Sequence, residues 1–196
     1  LTEDLLRKKA RDAAFVLMSR FEAYSGKTPE GRCSMGIDVG KFFDVRISSK
    51  DEDGGRRMEY VGKVADTSDL IELGERYKVA VAVADSMPEA RLIRDFQDAA
   101  PFPVWLCSYG SEGANARIKR NAKDREMRVD RTSVLDKTYS ELRAGRNRLP
   151  RNFKDLLGGD WMKEMLGPVR EMKTDKNGNV RYVWSKCADH ARHADA

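Results

Sequence analysis

Between residues 79 and 84 the chain reads Val-Ala-Val-Ala-Val-Ala, and it then meets Asp85. A short apolar run without polar alternation marks a strand buried on both faces of a sheet. Helical patterns lie on either side of it. Thr67 or Ser68 can cap a short helix running to Tyr77, with Leu70, Ile71 and Leu73 facing inward. Pro88 opens a second helix that reaches Ala100, and Ala90, Leu92, Ile93 and Phe96 supply its buried stripe. A buried strand between two amphipathic helices predicts an α/β domain built on a mixed sheet.

The rest of the chain extends that pattern. Leu1 to Tyr24 has helical spacing, ended by Gly26 and Pro29. Cys33 to Ser49 and Met58 to Ala65 read as a hairpin around the turn Asp51-Glu52-Asp53-Gly54-Gly55, and Val104 to Cys107 as a further short strand. Arg131 to Ala144 is predicted helical and is stopped by Gly145, and Phe153 to Leu166 is predicted helical with an interruption at Gly158-Gly159. Val169 to Lys186 reads as an additional β-hairpin around the two-residue turn signal Asn177-Gly178, followed by a helix from Ala188.

Composition narrows the function classes. The 196 residues suffice for one domain with a real core. No apolar run approaches the roughly 20 residues of a membrane span, and no signal peptide opens the chain. It starts at Leu1 rather than Met, so a piece of a longer protein is expected. Cys33, Cys107 and Cys187 are scattered without CxxC spacing, which fits reduced thiols better than a disulfide frame or a zinc site. The net charge is +5, and its distribution is informative. Arg117, Lys119, Arg120, Lys123, Arg125, Arg128 and Arg131 are opposed only by Asp124, Glu126 and Asp130, and Arg143, Arg146, Arg148, Arg151 and Lys154 follow. Such clusters bind phosphate backbones through counterion release, and they serve equally well as a solvated face.

The aspartates carry the chemistry. Asp38 lies inside the apolar strand Met-Gly-Ile-Asp-Val-Gly, and Asp85 ends the most buried strand. A carboxylate beside a core costs several kcal/mol unless it is compensated. Two that converge at one point repel each other, and a divalent cation relieves both problems. Each also has a purely structural reading, Asp38 as an outward residue of a one-sided strand and Asp85 as a helix N-cap. The glycines around Asp38 would let a nucleic-acid strand approach the backbone. Near the end, Asp189-His190-Ala191-Arg192-His193-Ala194-Asp195 places both histidines of the chain on one helical face. Without a thiol or an HExxH pattern this is a poor zinc site.

Met-Gly-Ile-Asp-Val-Gly, Val-Ala-Asp-Ser-Met-Pro-Glu and the terminal Asp-His-x-x-His-Ala-Asp-Ala together resemble the motifs of phage large-terminase nucleases. The segment from Val129-Asp130-Arg131-Thr132 to Leu149-Pro150 is similar to their connecting region, so the resemblance runs from about Gly36 to Ala196. It implies a ribonuclease-H-like fold, a mixed sheet flanked by helices, with residues 31–196 as the nuclease domain. Residues 1–30 would then be a helix and linker from an upstream packaging ATPase, whose GxxxxGK[ST] loop is missing from this chain.

The resemblance also implies an acidic cluster holding two Mg²⁺ or Mn²⁺ ions, with Asp38 and Asp85 as ligands. The family's His-x-x-Asp-Ala pattern is met by His193-Ala194-Asp195-Ala196 with one residue fewer between His and Asp. Asp195 is therefore the preferred third ligand because it precedes the small residue, with Asp189 as second candidate. His193 or His190 would orient a water or a phosphate, and the cluster from Arg117 to Arg131 would hold duplex DNA. The implied activity is endonucleolytic cutting of concatemeric viral DNA in the host cytoplasm, with portal and small terminase subunit as partners. Three other readings share parts of this pattern. They are a Holliday-junction resolvase or transposase-type nuclease, a non-catalytic nucleic-acid-binding module, and an ASKHA-type phosphotransferase, for which the further phosphate loops are lacking.

Overall fold

The computed structural model describes residues 2–11, 17–19, 22–23, 33–110, 118–151, 161–174, 176–185 and 190–195. β3 (Cys33–Val39), β4 (Phe43–Lys50) and β5 (Arg56–Val64) form an antiparallel meander, preceded by α1 (Glu3–Arg11) and the short antiparallel pair β1 (Leu17–Ser19) and β2 (Glu22–Ala23). α2 (Thr67–Arg76) leads to β6 (Val79–Asp85), which runs parallel to β3. α3 (Ala90–Ala99) leads to β7 (Val104–Gly110), parallel to β6. β8 (Lys119–Asn121) and β9 (Glu126–Asp130) extend the sheet beyond β7, and β10 (Asn147–Arg148) pairs with β5 at the opposite edge. Among the described residues the main sheet has eight strands in the order β10-β5-β4-β3-β6-β7-β9-β8. α4 (Arg131–Ala144), the helical residues 161–166 (α5), the hairpin β11 (Arg170–Thr174) and β12 (Val180–Trp184), and α6 (His190–Asp195) complete the chain. The mixed sheet with flanking helices and an additional hairpin is the architecture expected from the sequence.

Strand alternation sends two sets of side chains to two different cores. Met35, Ile37 and Val39 of β3, with Val45 and Ile47 of β4, meet Leu70 and Leu73 of α2 and Ile93 and Phe96 of α3. On the other face Met58 and Val61 of β5 meet Leu6 of α1, Leu142 of α4, and Trp161 and Met165 of α5. Leu6 is fully buried, so α1 is packed into the domain.

Several elements depart from the reading of the sequence. Of the stretch Leu1 to Tyr24 expected as one helix, Glu3–Arg11 is helical among the described residues, whereas Leu17–Ser19 pairs with Glu22–Ala23, because apolar spacing over so short a stretch fits a hairpin as well as a helix. The helix expected from Pro88 starts at Ala90. β6 is not buried on both faces. Ala82 and Ala84 are fully buried against α2 and α3, whereas Val81 and Val83 on the other side remain partly exposed beside Asp85. The second hairpin closes over five residues between the paired Thr174 and Val180, with Gly178 at φ +81°, rather than by a two-residue turn. Most of the expected helix from 153 to 166, and the residues from 186 to 189, lie outside the described set.

Candidate metal centre

Asp38 lies near the end of β3 on the face opposite α2 and α3, and the register continues from Ile37↔Ala84 to set it beside Asp85 at the end of β6. α6 crosses this face. It can do so because Gly36 has no side chain, since a Cβ there would stand 2.0 Å from the carbonyl oxygen of Ala194. The glycine expected to admit a nucleic-acid strand thus admits a helix. The i,i+3 spacing of His190 and His193 turns both rings toward Asp38. His190 Nδ1 is 2.5 Å from Asp38 Oδ2, and His193 Nδ1 is 3.5 Å from Asp38 Oδ1. Asp38, Asp85 and His193 each bring one potential ligand atom within 4.8 Å of the others.

The electrostatics of this group are those of carboxylates held against their preference. Burial pushes Asp38 up to about 6, with Asp85 adding repulsion and the His190 hydrogen bond working against the rise. Asp85 is also raised by burial, although its carboxylate accepts the Met87 N–H at 3.1 Å. Burial works against a charge on His190, but its bond to Asp38 prevails and raises its pKa. Tyr109 packs edge-on to His193 with centroids 4.8 Å apart, and burial drives its hydroxyl well above the usual phenol range. Two converging, partly desolvated carboxylates with an imidazole beside them suit a hard divalent cation, which favours oxygen ligands and stabilises the ionised form.

Asp195 is directed elsewhere. It is two residues beyond His193, about 200° around a helix, so it leaves the face that the histidines occupy. Its carboxylate is buried in an ion pair with Arg46 and accepts from Asn147 Nδ2 at 2.8 Å, while Arg56 donates to its backbone carbonyl at 3.1 Å. Arg46 in turn donates to Asn147 Oδ1 at 2.5 Å and to Ser48 Oγ at 3.1 Å. Asp195 therefore anchors α6 rather than joining Asp38 and Asp85. Asp189 lies outside the described residues.

Asp44, not singled out from the sequence, stands directly across the ladder from Asp38 and on the same face. Its carboxylate is 2.7 Å from Lys63 Nζ, which also reaches Glu164 at 3.4 Å. The signal was the tight connection between β3 and β4, which makes residues 38 and 44 partners.

The basic segment expected to hold DNA forms the β8–β9 edge, where no strand had been expected. Lys119, Arg120 and Lys123 are exposed, and Arg117 lies outside the described residues. Arg120 pairs with Met127, Met127 with Cys107, and Cys107 with Asp85, so Arg120 shares the face of Asp85 three strands away. With Ser86, Ser108, Lys119 and Arg128 it lines a cleft of about 390 Å³. Arg128 lies against Gly110, and Arg125 donates to the Gln97 carbonyl at 3.5 Å. Arg131 is turned inward onto His193 and the end of β12. Cys33 and Cys107 are free and buried, and burial pushes both thiols up to about 12.

A mixed sheet whose antiparallel meander runs into parallel strands, with carboxylates on the first and on its parallel neighbour and a helix crossing them, is a ribonuclease-H-like fold. The crystal structure of the large terminase nuclease from thermophilic phage G20c has this fold and is similar to the chain, with a TM-score of 0.51 at 16% identity over 92% of this chain and 90% of that one. The same nuclease with bound magnesium superposes at 0.48 with 16% identity over 92% and 89%. The yeast mitochondrial Holliday junction resolvase Ydc2 superposes at 0.35 with 15% identity over 98% and 84%. No protein-family model and no curated protein matches the sequence.

Proposed function

We propose that this protein is a metal-dependent nuclease acting on DNA. The observation that carries the reading is the convergence of Asp38, Asp85 and His193 within 4.8 Å on a ribonuclease-H-like sheet. Asp38 and Asp85 are the residues to hold Mg²⁺ or Mn²⁺, in the two-ion arrangement of this chemistry. Such ions supply an activated water and neutralise charge building on the scissile phosphate. Around them, His190 holds a proton against Asp38, and Arg120 offers a phosphate contact on the same face. The partly exposed Val81 and Val83 form the floor beside Asp85.

The finer reading is an endodeoxyribonuclease that cuts concatemeric viral DNA during genome packaging. It would work in the host cytoplasm, joined to an ATPase domain and served by portal and small terminase subunit. Its support is the motif order from Gly36 to Ala196 together with the fold of the phage nuclease.

The test is cleavage of supercoiled plasmid in Mg²⁺, Mn²⁺ or EDTA by the native chain, Asp38→Asn and Asp85→Asn. Metal-dependent nicking and linearisation, lost in both variants, is the expected result. Cleavage that survives both substitutions would overturn the assignment of these carboxylates. A strong preference for four-way junctions over duplex would move the reading to a resolvase.

A further inference from the structure

Arg131, the first residue of α4, turns its guanidinium inward and is partly buried. Its Nε–H donates to His193 Nε2 at 3.0 Å, Nη1 donates to the Trp184 carbonyl at 3.1 Å, and Nη2 donates to the Ser185 carbonyl at 3.4 Å. An arginine carries only donors and keeps its protons throughout the range in which proteins fold. His193 Nε2 must therefore be the acceptor, with its lone pair aimed at Arg131. A neutral imidazole in that state carries its hydrogen on Nδ1. Nδ1 is the atom that faces Asp38 Oδ1 at 3.5 Å. A nitrogen that bears a hydrogen has no lone pair for a cation.

We infer that Arg131 is a positioning residue that locks His193 as a hydrogen-bond donor toward Asp38 and keeps it out of a metal's ligand set. This rests on the metal-centre reading only for its second half, because the lock itself follows from the hydrogen bonds. Release of Arg131 lets the ring exchange its hydrogen to Nε2 and turn the Nδ1 lone pair toward Asp38 and Asp85. The other end of the lock is the root of the β11–β12 hairpin, which supplies the Trp184 and Ser185 carbonyls as acceptors. That root is itself held on α4, where Trp184 Nε1 donates to Asp136 at 3.0 Å and Arg170 pairs with the same carboxylate at 3.1 Å. Drawing the hairpin away from α4 thus loosens the hold on His193. A bound substrate strand that displaces the hairpin would change how many ligands the centre offers.

Two measurements decide this. In the metal-free native protein at alkaline pH, ¹⁵N-histidine correlation spectra should show His193 as the Nδ1–H tautomer, and the Nε2–H form would overturn the lock. Mn²⁺ titration should then show Arg131→Ala binding the ion about tenfold more tightly than the native chain, the scale of effect that partners of metal ligands exert. His193→Ala in the same background should remove that gain. Loss of mere support would weaken binding, so equal or weaker Mn²⁺ affinity in Arg131→Ala overturns the inference. If Arg131→Ala does not fold, Arg131→Met, which keeps the stem and has no donor, is read in the same way. A native chain that binds no Mn²⁺ would refute the metal centre, and the tautomer alone would then decide the lock.

Discussion

Gly36 and Ala194 touch backbone to backbone, and a methyl group on Gly36 would sit 2.0 Å from the Ala194 carbonyl oxygen. The first central strand and the helix bearing both histidines are therefore in contact with no side chain between them. Gly36→Ala should push α6 off the sheet and separate His190 from Asp38. A displacement of about 1 Å at a catalytic centre costs on the order of 100-fold in rate. Cleavage assays should show a loss of that size. A histidine titration should show the His190 pKa falling back from its raised position, and an unchanged His190 would contradict the packing argument.

Asp38 should destabilise the protein when no cation is present. Its pKa is raised by burial to about 6 from 3.8, so the unfolded chain ionises first as pH rises. The penalty is absent below about pH 4, grows as pH climbs toward 6, and stays constant above that. His190, raised by Asp38, has the same sign, since its stabilising charge is lost as pH passes its folded pKa. Metal-free stability should therefore decline from acid toward neutral pH. Asp38→Asn removes the buried charge and should gain about 2 kcal/mol near neutrality, while abolishing the stabilisation that Mg²⁺ gives the native chain. Melting curves across pH, with and without Mg²⁺, test both halves.

Asp195 should matter for folding rather than for ion binding. Removing one member of a buried ion pair costs about 3–5 kcal/mol because the partner charge is stranded. The stranded partner is Arg46, whose pKa burial already lowers to about 10. Asp195→Ala should thus lower the Tm by roughly 10 °C. Mn²⁺ affinity, measured below the new transition, should be little changed. A large loss of affinity with an unchanged Tm would assign Asp195 to the centre instead.

The β8–β9 edge offers a contrast between neighbours. Arg120 is in register with Asp85, whereas Lys123 lies in the turn. Arg120→Ala should weaken duplex binding, reduce the salt slope by about 1 and slow cleavage. Lys123→Ala should have the smaller effect on cleavage. Binding isotherms at several salt concentrations and cleavage rates of the two variants check this.

How far these features could be read beforehand depended on the physical signal each leaves. β6 and α4 announced themselves, one by an uninterrupted apolar run and the other by periodicity ended at Gly145, which adopts φ +76°. Asp38 and Asp85 stood out because charge is costly inside apolar strands. β8 and β9 left no such signal. Their residues are mostly charged, and β9 becomes a strand by pairing with β7, a partner distant in the chain, with β8 added onto β9. The direction of Asp195 was hidden for a related reason. The motif supplies its spacing from His193, but the opposing charge, Arg46, comes from β4, distant in the chain. Asp44 was legible in principle, since only the short β3–β4 connection was needed to pair it with Asp38.

The same unobtrusive edge strand has a bearing on solubility. A long, flat, apolar border would invite a second sheet to add on, whereas β8 is three residues long, Lys119 to Asn121, exposed at each position and largely cationic. Short charged borders are how natural sheets discourage edge-to-edge aggregation. Neutralising Lys119 and Arg120 together would therefore do more than weaken an anion contact. It would expose an unguarded row of backbone donors and acceptors, ready to template the next copy.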